Sequence, residues 1–297
     1  MKKWIKRIIF PILLVSLLIT AGCSGSSKSK PIRIVHKNYT EQRLLGEMTA
    51  ALLENKGYET TVSELGGTML TFNAVKNDDA DIMIEYTGTG YSAILQQTEI
   101  LSPDETYDHV KREYENQHGI TWLDPMGFNN TYILSVRAET AEQYGLKTTS
   151  DLIGIADNMI ISSDSEFATR TDGYPGMLEA YPGLNFKELK TMDQGLTYQA
   201  LANGEIDVNV SFATDGRIAK FNLINLEDDN NFFPPYYCAP IMKQAFAEDH
   251  SDVVEILREL GGMWTDEQMQ QYNLLVDEGA KAREVAETML KDAGLID

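Results

Sequence analysis

The chain has 297 residues, of which 43% are hydrophobic and 24% charged, and a formal net charge of −20. That length and composition suit a folded protein with a large core and room for two lobes. The acidity argues against a nucleic-acid partner, which needs Lys and Arg clustered against phosphate, and leaves a cationic ligand open.

Residues 1–22 read as a secretory leader. Lys2, Lys3, Lys6 and Arg7 precede an apolar run from Ile8 to Ile19, and no acid occurs before Cys23. The run is shorter than the roughly 20 residues that a membrane-spanning helix needs. It ends at Thr20-Ala21-Gly22-Cys23, small residues before a cysteine as in a bacterial lipobox, although Leu is usual where Thr20 stands. Cys23 is the expected lipidation site, and residues 23–30 are the expected polar tether. With Cys23 acylated, Cys238 has no intramolecular disulfide partner. Set beside aromatics and prolines, Cys238 reads as a small buried hydrophobe.

Beyond the tether, IRIV (32–35) reads as a strand leading into a helix near Thr40 to Asn55. Leu44, Leu45, Met48, Ala51 and Leu52 fall on one face of that helix, and Gly57 closes it. Residues 69–90, MLTFNAVKNDDADIMIEYTGTG, read as an amphipathic helix, a polar turn and a strand. MIIS (159–162) is a second apolar strand, followed by a helix near Thr169 to Tyr181. Residues 195–216, GLTYQALANGEIDVNVSFATDG, then repeat the first pattern without a gap at a spacing of 126. Leu70 meets Leu196, Thr71 meets Thr197, Asp81 meets Asp207, and Tyr86 falls on Phe212. This echo predicts two βαβ-type halves with parallel strands and α/β layers. In such folds ligands bind beyond the strand ends, where Tyr86 and Phe212 stand.

No familiar catalytic or metal pattern accompanies these elements. There is no P-loop string, no GxSxG and no HExxH, and His36, His109, His118 and His250 are scattered. The chain reads as a non-enzyme without cofactor or metal. The aromatics say more. Tyr86 ends one strand, Tyr132 lies in GFNNTYILSVR before another, Phe212 is the repeat partner of Tyr86, and Tyr236 lies in the proline-stiffened FFPPYYCAP. Each ring alone is compatible with core packing. Converging from separate segments, they would form a box for a quaternary ammonium, held by cation–π attraction of about 0.5–2 kcal/mol per ring. Arg170, near the second helix entry, would hold a substrate carboxylate or form a surface ion pair.

The strings HKNYTEQRLLGEM, ELGGT, DIMIEYTGTG, SDSEFATRTDG, MDQGLTYQAL, SFATDGRI and FFPPYYCAP carry a resemblance. From residue 31 onward the chain resembles the substrate-binding lipoproteins of osmoprotectant ABC importers, the glycine betaine/carnitine/choline binding proteins of Gram-positive bacteria. The resemblance implies a two-lobed type II periplasmic-binding-protein fold with a double-crossing hinge. Lobe 1 would comprise residues 31–129 plus 236–297, with helices at 251–262, 265–277 and 279–293, and lobe 2 residues 130–235. It implies an aromatic cage of Tyr86, Tyr132, Phe212 and Tyr236, with Phe212 standing where Tyr is common and so lacking a hydroxyl. Arg170 would bind carboxylate, with Thr89, Asn130 and Gln42 as polar wall residues. Asn130 falls where some relatives carry Asp, which removes a direct charge contact. A neutral Thr89 suits ligands with or without a carboxylate. The implied protein is a monomer, lipid-anchored at the extracytoplasmic face of the membrane and serving an ABC permease. A binding lipoprotein for another small solute, such as an amino acid, is the alternative, and it predicts an acidic partner for a protonated amine.

Overall fold

The computed structural model describes residues 30–297, so the expected leader, Cys23 and the tether up to Ser29 lie outside the described residues. The first half runs β1 (Ile32–His36), α1 (Thr40–Asn55), β2 (Thr60–Glu64), α2 (Thr68–Lys76), β3 (Ile82–Tyr86), a π-helical turn (Thr89–Ile94), α3 (Pro103–His118) and β4 (Ile120–Trp122). The middle runs β5 (Tyr132–Arg137), α4 (Ala138–Tyr144), β6 (Ile160–Ser163), α5 (Tyr174–Ala180), β7 (Glu188–Thr191), α6 (Gln194–Ala202), β8 (Val208–Phe212), α7 (Arg217–Lys220) and β9 (Leu223–Leu226). The last part is β10 (Cys238–Lys243), α8 (Gln244–Asp249), α9 (Ser251–Arg258), α10 (Asp266–Asp277) and α11 (Ala282–Asp292). Among the described residues no helix is long and apolar enough to cross a membrane.

Ten of these strands form two sheets of the same plan, ordered β2-β1-β3-β10-β4 and β7-β6-β8-β5-β9. The sheets are mixed rather than parallel throughout. β1 pairs in parallel with β2 and β3, and β6 with β7 and β8, as strands joined through crossover helices do. The fourth strands, β10 and β5, are antiparallel to both neighbours. Each of them arrives from the other half of the fold, so no crossover helix dictates its direction. The chain leaves the first sheet after β4 and returns to it at β10, and the two crossing segments run side by side. Asn129 bridges Tyr237, and the Asn130 N–H reaches the Tyr236 carbonyl at 3.0 Å.

Side-chain alternation explains the packing. In β3, Ile82, Ile84 and Tyr86 join the core under α1, while Met83 joins Phe72, Val75, Tyr114 and Trp122 on the other face. α1 buries Leu44, Leu45, Met48, Ala51 and Leu52, the face its spacing predicts. The repeat is borne out: α2 and α6, and likewise β3 and β8, begin and end 126 residues apart.

Cys238 lies opposite Tyr86 in the β3–β10 ladder and is fully buried. Burial, reinforced by nearby Glu41, pushes its thiol well above the ordinary cysteine range. Iodoacetamide should therefore alkylate Cys238 at least about a hundredfold more slowly in the folded protein than in denaturant. Peptide mapping would check this; comparable rates would mean that the ladder opens readily.

Candidate functional site

The ends of β3 and β8, the crossing segments and the N-termini of α1, α2 and α6 enclose a cavity of about 610 Å³ between the two sheets, within the range of small-ligand sites. Tyr86, Tyr132, Phe212, Tyr236, Arg170, Thr89 and Asn130 all line it. Gln42 does not. It lies three residues before Leu45 on the inward face of α1, fully buried, accepting the Lys37 N–H at 3.3 Å and donating to the Ile84 carbonyl at 3.1 Å. Its amide joins α1 to β3 behind the wall.

Strand register brings the rings together. Tyr132 of β5 and Phe212 of β8 are direct cross-strand partners, with centroids 5.3 Å apart. Tyr236 meets Tyr132 edge-on at 5.2 Å, and Phe167 and Phe233 back Tyr132 at 4.9 and 5.8 Å. A fifth ring, Tyr39, approaches Phe212 at 5.4 Å from the residue that precedes α1. It stands in HKNYTEQ, where neither repeat nor strand end marks it. Tyr86 faces these rings from the first sheet, and its hydroxyl donates to Glu41 at 2.7 Å.

Arg170 is not at the entry of a regular helix. Residues 164–173 form turns in which Asp164 accepts the Glu166 and Phe167 N–H groups, and α5 begins only at Tyr174, just before Pro175. The guanidinium is held by Asp172 through Nε (2.8 Å) and Nη2, while Nη1 lies 3.8 Å from Glu166. It sits 6.0 Å from the Tyr132 ring centre, and Asp172 also accepts the Tyr236 hydroxyl at 2.5 Å. One carboxylate thus fixes the arginine and the Tyr236 wall, and the arginine in turn lies over the Tyr132 ring. Lys37 provides a second buried cation on the opposite wall, 2.6 Å from Glu85 and 5.5 Å from the Tyr86 ring centre.

Two carboxylates missed at the level of sequence join the two sides. Glu166 accepts the Thr68 N–H at 2.6 Å and the Thr68 hydroxyl at 2.7 Å. It thereby caps α2, whose own preceding residue, Gly67, has no side chain to do so. Burial alone would raise the Glu166 carboxyl, but nearby Lys37 and the Thr68 bonds outweigh it and hold the group below its ordinary range. Glu41 is buried and accepts from Tyr86, Asn130 (2.8 Å), Asn273 of α10 (2.8 Å) and Thr214 after β8 (2.5 Å). Burial pushes its carboxyl up against those four bonds. Among 45 acids, spacing alone marks neither.

Such a site can surround a soft cation with ring faces and offer a guanidinium to an anion at the same time. Comparison with known proteins places the chain in a family. Residues 30–292 match the family described as the substrate binding domain of ABC-type glycine betaine transport systems. The chain is 34% identical over 285 residues to the carnitine transport binding protein OpuCC of Listeria monocytogenes serotype 1/2a (strain 10403S), covering 93% of this chain and 92% of that one. It is also 34% identical over 286 residues to the glycine-betaine-binding protein of Pseudomonas aeruginosa PAO1, covering 92% and 91%. A crystal structure described as a glycine betaine/carnitine/choline ABC transporter superposes with a TM-score of 0.75 at 31% identity, over 90% of this chain and all of that one. These relatives are transport binding proteins rather than enzymes.

Proposed function

Since the chain belongs to the family of substrate-binding domains of ABC-type glycine betaine transport systems, we propose that it captures quaternary ammonium compounds of the glycine betaine, carnitine and choline type outside the cytoplasm and hands them to a membrane permease. The observation that carries this reading is the convergence of Tyr86, Tyr132, Phe212 and Tyr236 on a cavity that also holds Arg170. A trimethylammonium group has no N–H to donate, so ring faces serve it better than a lone carboxylate, and closure over it strengthens the attraction by removing water. Arg170 pairs with a ligand carboxylate through the Nη1 edge that Asp172 leaves free, and Thr89 and Asn130 complete the wall.

In this reading lobe 1 is residues 31–129 with 236–297 and lobe 2 residues 130–235, hinged at the paired crossing segments. Ligand first meets one lobe; the Glu166–Thr68 and Glu41–Thr214 bonds then form as the other closes. The protein acts as a monomer held to the membrane by a lipid on Cys23.

Calorimetric titration of the purified protein with glycine betaine, carnitine, choline and glycine tests the proposal. Saturable binding of methylated compounds is expected, with glycine at least about a hundredfold weaker. Binding of glycine or another unmethylated amino acid in preference to all three would replace this reading with an amino-acid carrier. Failure of every quaternary ammonium compound to bind would sink it.

A further inference from the structure

The charges around the cavity do not balance evenly. Each cation of the wall already has a carboxylate: Lys37 has Glu85, Arg43 has Glu64, Arg170 has Asp172, and Arg217 has Asp215 and Asp277. Three lining carboxylates have no ion pair among the described residues: exposed Asp193, Asp164, which accepts the Glu166 and Phe167 N–H groups, and Glu41, whose four hydrogen-bond partners are all neutral and include the Tyr86 ring wall. Two of the Glu41 partners can only donate. Asn273 Nδ2 also serves the Thr214 carbonyl at 3.0 Å, and Asn130 turns its Oδ1 to the Thr214 N–H at 3.5 Å, which fixes both amides with nitrogen towards Glu41. Each oxygen of Glu41 therefore accepts one amide N–H, and the Tyr86 and Thr214 hydroxyls take a second position on each, so a nearby cation favours the ionised form against its burial. A buried charge held only by neutral dipoles gains from any cation brought nearby.

Glu41 also touches what shapes the cage. Tyr86 is one ring wall, and Thr214 stands two residues after Phe212, another wall. Asn130 lies two residues before Tyr132 and on a crossing segment.

We propose that Glu41 is the specificity-determining counter-charge of this site, making it select ligands with a permanently charged ammonium over neutral molecules of the same shape. The proposal rests on the binding role above and deepens it. The rings favour the cation through cation–π attraction but also accept an apolar group of the same size. The Glu41 carboxylate, bonded to the Tyr86 wall, rewards the positive charge alone, and Asn130, which carries no charge, leaves that task to it.

The test compares each ligand with its carbon isostere: glycine betaine with 3,3-dimethylbutanoate, and choline with 3,3-dimethyl-1-butanol. Shape and carboxylate or hydroxyl are kept; only the charge on the central atom goes. In the unaltered protein the cation should bind at least about tenfold more tightly than its isostere. In Glu41→Gln the cation should lose about tenfold more affinity than its isostere, beyond any loss the two share. Equal binding of cation and isostere by the unaltered protein would overturn the proposal. So would an equal loss for both ligands in Glu41→Gln, which would make the residue a structural hub only. Should Glu41→Gln not fold, the double exchange Glu41→Gln with Asn273→Asp keeps one carboxylate in the hub. It is expected to retain the preference, and loss of preference in that folded variant would overturn the proposal as well. If the unaltered protein binds no quaternary ammonium at all, the binding role itself has failed, a result distinct from all of these.

Discussion

Tyr132→Ala is expected to weaken glycine betaine binding by about a hundredfold, whereas Tyr132→Phe stays within about threefold of the unaltered protein. The alanine variant loses one cation–π face, about 0.5–2 kcal/mol. A hundredfold is about 2.7 kcal/mol, so the rest must come from neighbours that lose their support. Tyr132 is the ring against which Phe212 and Tyr236 rest at 5.3 and 5.2 Å, and it lies beneath Arg170 at 6.0 Å. Without it two walls and the guanidinium lose their common backing. Its buried ring also packs on Phe167 and Phe233, so the fold should lose about 3 kcal/mol as well. Phenylalanine keeps every one of these ring contacts. Calorimetry for binding and thermal unfolding for stability separate the two effects. Alanine-variant binding within threefold of the unaltered protein would mean that Tyr132 is core rather than cage.

Much of this architecture can be read from sequence, for local reasons. α1 occupies Thr40–Asn55, the bounds its apolar spacing predicts. The helix and strand of the two repeat units share their bounds because the same Leu-Thr-aromatic and Asp signals recur in register. What resists reading is set over long distances. Gln42 shares a helix with cleft residues, yet faces inward and satisfies the backbone of Lys37, just after β1, and of Ile84 in β3. The helix expected near Thr169 begins five residues later because Asp164 ties the preceding segment into turns. The helix expected at 251–262 stops at Arg258. Glu41 draws its four donors from β3, a crossing segment, the loop after β8 and α10, and no pairwise spacing encodes such a meeting. Tyr39 becomes a wall only when Phe212 arrives from the other sheet.

The two glycines of the EYTGTGY turn should behave oppositely when replaced by alanine. At Gly88 an added Cβ would lie 2.7 Å from Cδ1 and Cε1 of Tyr236 and 2.9 Å from its Cζ. The ring has no retreat. Its hydroxyl is bonded to Asp172, Tyr132 stands against it, and its backbone is pinned by Asn129 and Asn130. It relieves the clash by swinging into the cavity, and returning it to the cage on binding costs about 1–3 kcal/mol, or about five- to 150-fold in affinity. The backbone at Gly88, φ −62° and ψ −40°, is ordinary helical geometry that alanine adopts without penalty. Gly88→Ala should therefore lose ligand while unfolding close to the temperature of the unaltered protein. At Gly90 the same methyl would meet Trp122 at 2.9 Å and the Tyr114 hydroxyl at 3.0 Å, in the core on the far face of the sheet. Gly90→Ala should lower the unfolding temperature with less effect on affinity. If both variants lose stability and binding in proportion, the glycines serve packing alone. Separation of the two effects would mean that Gly88 is there because it lacks the Cβ that the Tyr236 ring would meet.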